Sequence, residues 1–143
     1  MKSLMWSLIV TILLTSLAFG QDTAPGYKPK FAGDPARSDQ EAAAMGYMRV
    51  VVNAQKNYSH KHAGQYATSL HALVGQGSFT RRMLDPKRGD YTVKFKGTAK
   101  DYSLWMTPAT VSPTERAFFV DDSGVIRTEE DKQATADSPK AKP

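Results

Sequence analysis

Four groups of residues in this chain have types and spacings that could do chemistry. His60, His62 and His71 are its only histidines. A helix brings metal ligands onto one face at spacings of three or four, whereas a spacing of two points the rings apart unless the segment is extended. No carboxylate lies within ten residues of His60 or His62. The pair therefore reads as a polar helix end, where cations suit the negative end of the dipole. Asp121-Asp122-Ser123-Gly124 offers oxygen ligands. A calcium loop, however, needs them at alternating positions up to a closing glutamate, and Val125, Ile126 and Arg127 follow instead. A hairpin turn is the expected reading. Gly75-Gln76-Gly77 lacks the third glycine of a dinucleotide fingerprint. No Gly-x-Ser-x-Gly, His-Glu-x-x-His or phosphate-loop pattern occurs. A hydrolase would have to bring His71 or the 60–62 pair to an acid in a cleft. We expect no enzyme activity, no catalytic residue, no metal site and no cofactor.

The fourth group is basic. Between residues 81 and 100 stand seven cations, Arg81, Arg82, Lys87, Arg88, Lys94, Lys96 and Lys100, opposed by Asp85 and Asp90. Lys94 and Lys96 alternate with apolar residues, so they share the polar face of a strand. Ser103 and Trp105 fall on the matching face of the next strand if Tyr91 and Tyr102 point inward. A cationic face with an aromatic suits a polyanion. Lysines on an edge also keep strands from pairing with strangers. The chain's net charge of +5 is a mild excess.

The elements that must carry these groups follow from capping and periodicity. Ser38-Asp39-Gln40-Glu41 has the form of a capping box, in which the serine accepts from the glutamate amide and the glutamate reaches back. A helix is predicted from Asp39. Ala44, Met48, Val51, Gln55 and Tyr58 follow at alternating steps of four and three, with Tyr47 and Ala54 beside them. That is one buried stripe, roughly five turns long, ended by Gly64. Arg49, Asn53 and Lys56 fall on the wet side. A short helix is predicted from Ser69 to Leu73 with Thr68 as cap, and a loop over 78–90 with Met83 and Leu84 as plugs.

Beyond residue 90 the period becomes two. Strands are predicted from Tyr91 to Lys96, Tyr102 to Thr107, Ala117 to Val120 and Val125 to Arg127, with a turn at 121–124. Short connections make the sheet an antiparallel meander. The fold class is α+β: one long N-terminal helix packed on a small antiparallel β-meander.

The chain has 143 residues and no cysteine, which sets a prior of one domain and excludes disulfides and thiolate chemistry. Lys2 is the only charge before Asp22, the stretch Leu4 to Leu17 is almost wholly apolar, and Ala18-Phe19-Gly20 is small-x-small. This reads as a signal peptide, 1–20, cleaved between Gly20 and Gln21. The apolar stretch is short of the roughly 20 residues that span hydrocarbon, so no stable membrane anchor is expected after cleavage. Residues 21–38, with three prolines and two glycines, read as a flexible linker. Residues 39–127 form the domain. Residues 128–143 lack any large apolar residue and are expected to be disordered. The location expected is periplasmic or secreted.

The order of signals resembles the globular headpiece of type IV pilin-like proteins and type II secretion pseudopilins. The likeness rests on the Ala54 and Tyr58 stripe, Gly64-Gln65-Tyr66, Ser69-Leu70 with Leu73, Leu84-Asp85-Pro86, Asp90-Tyr91-Thr92-Val93 and Tyr102-Ser103-Leu104. It closes on Phe118-Phe119-Val120-Asp121-Asp122-Ser123-Gly124-Val125-Ile126-Arg127, its strongest part. The chain departs from the family at the start: the prepilin leader, the Phe-Thr-Leu-Ile-Glu segment and the apolar stalk have no counterpart, and Gln21 and Asp22 follow Gly20. The resemblance implies a headpiece fold without the helix half that packs a filament core. The function expected is that of an exported, soluble, non-enzymatic protein acting through protein contacts in a cell-envelope or secretion assembly. The alternative is a module for polyanions, nucleic acid or an anionic envelope polymer, using the basic residues of 81–100.

Overall fold

A serine hydroxyl starts the helix. In the computed structural model, which describes residues 23–143, Ser38 Oγ accepts from the Glu41 amide at 3.1 Å and α1 runs Asp39–Lys61, 23 residues. The expected signal peptide, 1–20, and its expected cleavage between Gly20 and Gln21 lie outside the described residues. The other half of the capping box differs from expectation. Glu41 does not return to the Ser38 amide; its Oε2 accepts from the Arg37 amide at 2.7 Å, because the carboxylate is turned inward to Arg116. The helix ends at Lys61 with His62 as cap, and the chain turns through Gly64 at φ +83°, where a side chain would be strained. Ala44, Met48, Val51, Ala54 and Gln55 are buried along the predicted stripe. Gln55 is satisfied by both polar atoms of the Ala67 backbone, at 2.9 and 3.0 Å.

Two 3₁₀ turns follow, Leu70–Leu73 and Arg81–Leu84. The first replaces the predicted short helix, and Ser69 rather than Thr68 stands at its cap position. The sheet has five antiparallel strands in sequence order: β1 (Lys87–Arg88), β2 (Tyr91–Gly97), β3 (Tyr102–Pro108), β4 (Ala117–Asp121) and β5 (Arg127–Glu129). β1 lies in the stretch expected to be loop. The last strand begins at Arg127 rather than Val125, because the turn closed by Gly124 (φ +72°) leads into Val125 and Ile126 before pairing resumes.

The pleat sorts the sheet into two faces. Tyr91, Val93, Leu104, Met106, Phe118 and Val120 point to α1 and form one core with Met45, Met48, Val51 and Leu73, against which Tyr58 and Phe95 pack. On the outer face Ala117, Phe119 and Ala134 make a second small core, with Trp105 and Val111 against it.

Both ends of the described chain correct the expectation. Residues 23–38 are held against the domain: the Ala24 amide donates to Arg37 O at 2.8 Å, Ala36 is buried, and Asp34 accepts from the Tyr27 hydroxyl and the Lys30 and Ala36 amides. Residues 128–143 are packed too. Thr128 is in β5, Ala134 and Ser138 are buried, and Lys140 pairs with Arg127. Backbone pairing and hydroxyl bonds order this segment, so its lack of large apolar residues did not decide the matter. No helix among the described residues is long and apolar enough to cross a membrane.

Candidate functional site

Cross-strand register places the basic residues. Lys94 stands opposite Trp105, Lys96 opposite Ser103 and Lys87 opposite Thr92. All lie on the outer face, as the alternation predicted for Lys94 and Lys96. Lys94 Nζ is 5.5 Å from the Trp105 ring centroid, and Trp105 meets Phe119 edge-on at 5.4 Å. Continuing across the register, Phe119 stands opposite Arg127. One row of the sheet therefore reads cation, aromatic, aromatic, cation. Thr92, Ser103 and Thr107 supply hydroxyls beside it. Residues of the 128–143 segment cover the β4 side of this face through Ala134.

The seven cations do not make one surface. Arg88 is one residue from Lys87, so the pleat sends it to the opposite face. There its guanidinium lies 4.7 Å from the centroid of Tyr47, and Nη2 donates to Arg82 O at 3.0 Å. Arg81 stands beside His71, Val74 and Leu84 on the 3₁₀ side. Arg82 is exposed on the same turn, and Lys100 is at the tip of the β2–β3 hairpin, its amide bonded to Thr98 Oγ1. The expected basic face reduces to Lys87, Lys94 and Lys96.

The other groups singled out in the sequence stay apart. The His62 ring stacks on Tyr58 at 3.8 Å, with Nδ1 2.8 Å from Tyr58 O. Among the described residues, no three His, Cys, Asp or Glu side chains gather where a metal could be held. Asp121 Oδ1 accepts from the Ser123 amide at 3.0 Å, closing the turn on itself.

A groove of about 360 Å³ lies between α1 and the β1–β2 turn, lined by Gln40, Gly46, Tyr47, Met83 and Arg88 among others. Sequence reasoning did not assemble it. Its one sequence signal is Gly46, a glycine inside an alanine-rich helix. Burial pushes the Tyr47 hydroxyl up to about 12, with Arg88 pulling the other way, and that hydroxyl donates to Met83 O at 3.0 Å. What these arrangements offer chemically is cation and aromatic recognition of anions. The chain matches no family model, no curated protein and no solved structure.

Proposed function

We propose that the chain is an exported, soluble, non-enzymatic protein with a headpiece like that of type IV pilin-like proteins and pseudopilins, acting through protein contacts in a cell-envelope or secretion assembly. The observation that supports the reading is the single helix laid across an antiparallel meander, with the resembling segments at the helix exit, in β4 and in the turn after it. Gly64-Gln65-Tyr66 leaves the helix, the Tyr66 amide donates to Ala99 O at 3.0 Å, and the Tyr66 ring meets Tyr102 edge-on. Phe118-Phe119-Val120-Asp121 lies in β4, and Asp121 to Gly124 is the turn after it. The helix begins at a serine cap locked by Glu41 and Arg116, a start rather than the continuation of a stalk. An accessory that docks on an assembly fits this better than a fibre subunit.

Pairwise interaction assays against each filament and pseudopilin subunit of the producing cell test this. Binding to at least one subunit is expected, together with a mature N-terminus at Gln21 by mass spectrometry. Failure to bind any of them, or an intact Met1, overturns it. A second reading is favoured by one observation, the three lysines that share the outer face with Trp105: binding of an anionic polymer, nucleic acid or an envelope polymer. Salt-sensitive retention on heparin or DNA separates it from the first.

A further inference from the structure

We propose that the groove between α1 and the β1–β2 turn is a binding site for a small apolar carboxylate. Arg88 takes the carboxylate and the Gly46 stretch of α1 takes the apolar body. This goes beyond the assembly role and does not depend on it.

Gly46 is the first observation. It lies in the middle of α1, its backbone is helical, and a Cβ built on it would have no atom within 4 Å. Glycine in a helix interior weakens the helix relative to alanine. Among the described residues nothing requires it there, since neither a left-handed backbone nor a close neighbour is present. What the missing side chain leaves is an open floor between Ala43, Tyr47 and Val50.

Arg88 is the second. Its guanidinium rests on the Tyr47 ring, which the bond to Met83 O holds in place. One N–H is spent on Arg82 O. The Nε atom is shut off from solvent, and so from a groove ligand, and has no acceptor among the described residues. No aspartate or glutamate lines the groove. The Lys87 ammonium is turned away, donating to Thr92 Oγ1 at 2.8 Å. Nη1 donates to no protein group among the described residues, so Arg88 keeps free donors at that end, and no counter-charge lines the groove. A carboxylate, which pairs with a guanidinium through two parallel bonds, is the complementary group.

The shape limits the occupant. Gln40 rests on Gly89 so closely that a Cβ there would have no room. Gln40 and Gly89 both line the groove beside the β1–β2 turn. The volume, about 360 Å³, lies at the small end of the range for small-molecule sites.

The test is a titration of octanoate into isotope-labelled protein, recovered as the cell releases it, with the backbone amides of Gly46, Val50 and Gly89 followed by NMR. Saturable shifts of these three are expected, with octanol and octylamine weaker by about tenfold or more, the effect of removing one charge-assisted hydrogen bond. Gly46→Leu fills the floor and strengthens the helix, so it should abolish the shifts while raising Tm. Arg88→Gln should weaken octanoate by about tenfold at an unchanged Tm. If that variant unfolds, Gly46→Leu decides alone. Equal shifts with octanoate and octylamine, no saturation, or undiminished binding by Gly46→Leu would remove the site. Tighter binding of a leucine-ended tripeptide than of octanoate, lost when the peptide is amidated, would overturn the small-molecule assignment in favour of a protein chain end.

Discussion

Glu41 has no contact with solvent, yet its two oxygens take four N–H groups: the Arg37 amide, and the amide, Nε and Nη2 of Arg116. Arg116 is as deeply buried, and Nη2 also reaches Pro35 O. The pair ties the helix start to the entry of β4 and to the segment before the helix. Two charges in the interior are weak evidence for net stability, but removing one strands the other. Glu41→Ala should therefore lower unfolding free energy by about 3–5 kcal/mol, read by urea denaturation, and the double variant Glu41→Leu/Arg116→Met should recover most of it. A loss below about 1 kcal/mol for the single variant would mean that water reaches Arg116. The tyrosines set the alkaline limit. Burial lifts Tyr47 to about 12, burial and then Asp34 lift Tyr27 to about 12, and burial raises Tyr91 and Tyr102 as well. An unfolded tyrosine loses its proton near 10. Between that value and the folded one, the unfolded chain has released a proton that the folded chain keeps, so stability falls as pH rises. The urea midpoint should drop between pH ~10 and ~12. Tyr47→Phe, which starts lower because Met83 O loses its donor, should show a shallower drop; an equal slope in both proteins would exclude Tyr47 as a contributor.

Among the elements, the segment after β5 carries the largest surprise. It covers Phe119 and Trp105 with one small residue, Ala134, packs Ala141 against the main core, and is otherwise held by polar bonds. Thr128 Oγ1 donates to Ala117 O, Ser138 Oγ donates to Glu129, and Arg127 Nη1 donates to Ser138 O. Replacing Ala134 with Asp buries a carboxylate against the apolar Ala117, Phe119 and Trp105. The segment should then detach while the main core stays folded. Trp105 emission should shift to the red, and amide exchange should speed up in β5 but not in β2. Unfolding of the whole sheet instead would show that the second core is part of the first cooperative unit. The same segment explains where the sequence was legible. The α1 stripe could be read because Met48, Val51 and Ala54 are buried by an apolar face, which is what periodicity measures. The β2 and β3 faces could be read because Lys94 and Trp105 obey period two. Residues 128–143 are ordered by Thr128, Ser138 and backbone pairing, which leave no apolar trace. The basic cluster was legible only in part: β1 is two residues long, and one step from Lys87 to Arg88 exchanges the sheet faces. The groove needs Gln40 and Gly46 of α1 beside Arg88 of β1, a tertiary contact that spacing does not encode.

At the scale of the whole molecule, the net charge of +5 says less than where the cations sit. Long-range steering depends on total charge, and contact binding depends on charges that share a face. Lys87, Lys94 and Lys96 share the outer sheet face with Trp105, whereas Arg81, Arg82 and Lys100 are spread over a 3₁₀ turn and a hairpin tip. Two triple variants separate the effects, because each removes the same formal charge: Lys87→Gln/Lys94→Gln/Lys96→Gln, and Arg81→Gln/Arg82→Gln/Lys100→Gln. Polyanion binding through the outer face requires the first to elute from heparin at much lower salt than the second. Each lysine that no longer neutralises an anionic group of the polymer should also lower the slope of log affinity against log salt by about 0.7–0.9, so the first triple should reduce the slope by about two. The spacing supports such pairing: residues two apart on β2 stand about 6.8 Å apart along the strand, which places the Lys94 and Lys96 heads side by side rather than in competition for one anion. Identical elution of the two triples would mean that retention follows total charge. The outer face would then be a solvated, lysine-guarded surface with no polymer partner, and the protein-contact reading would stand alone.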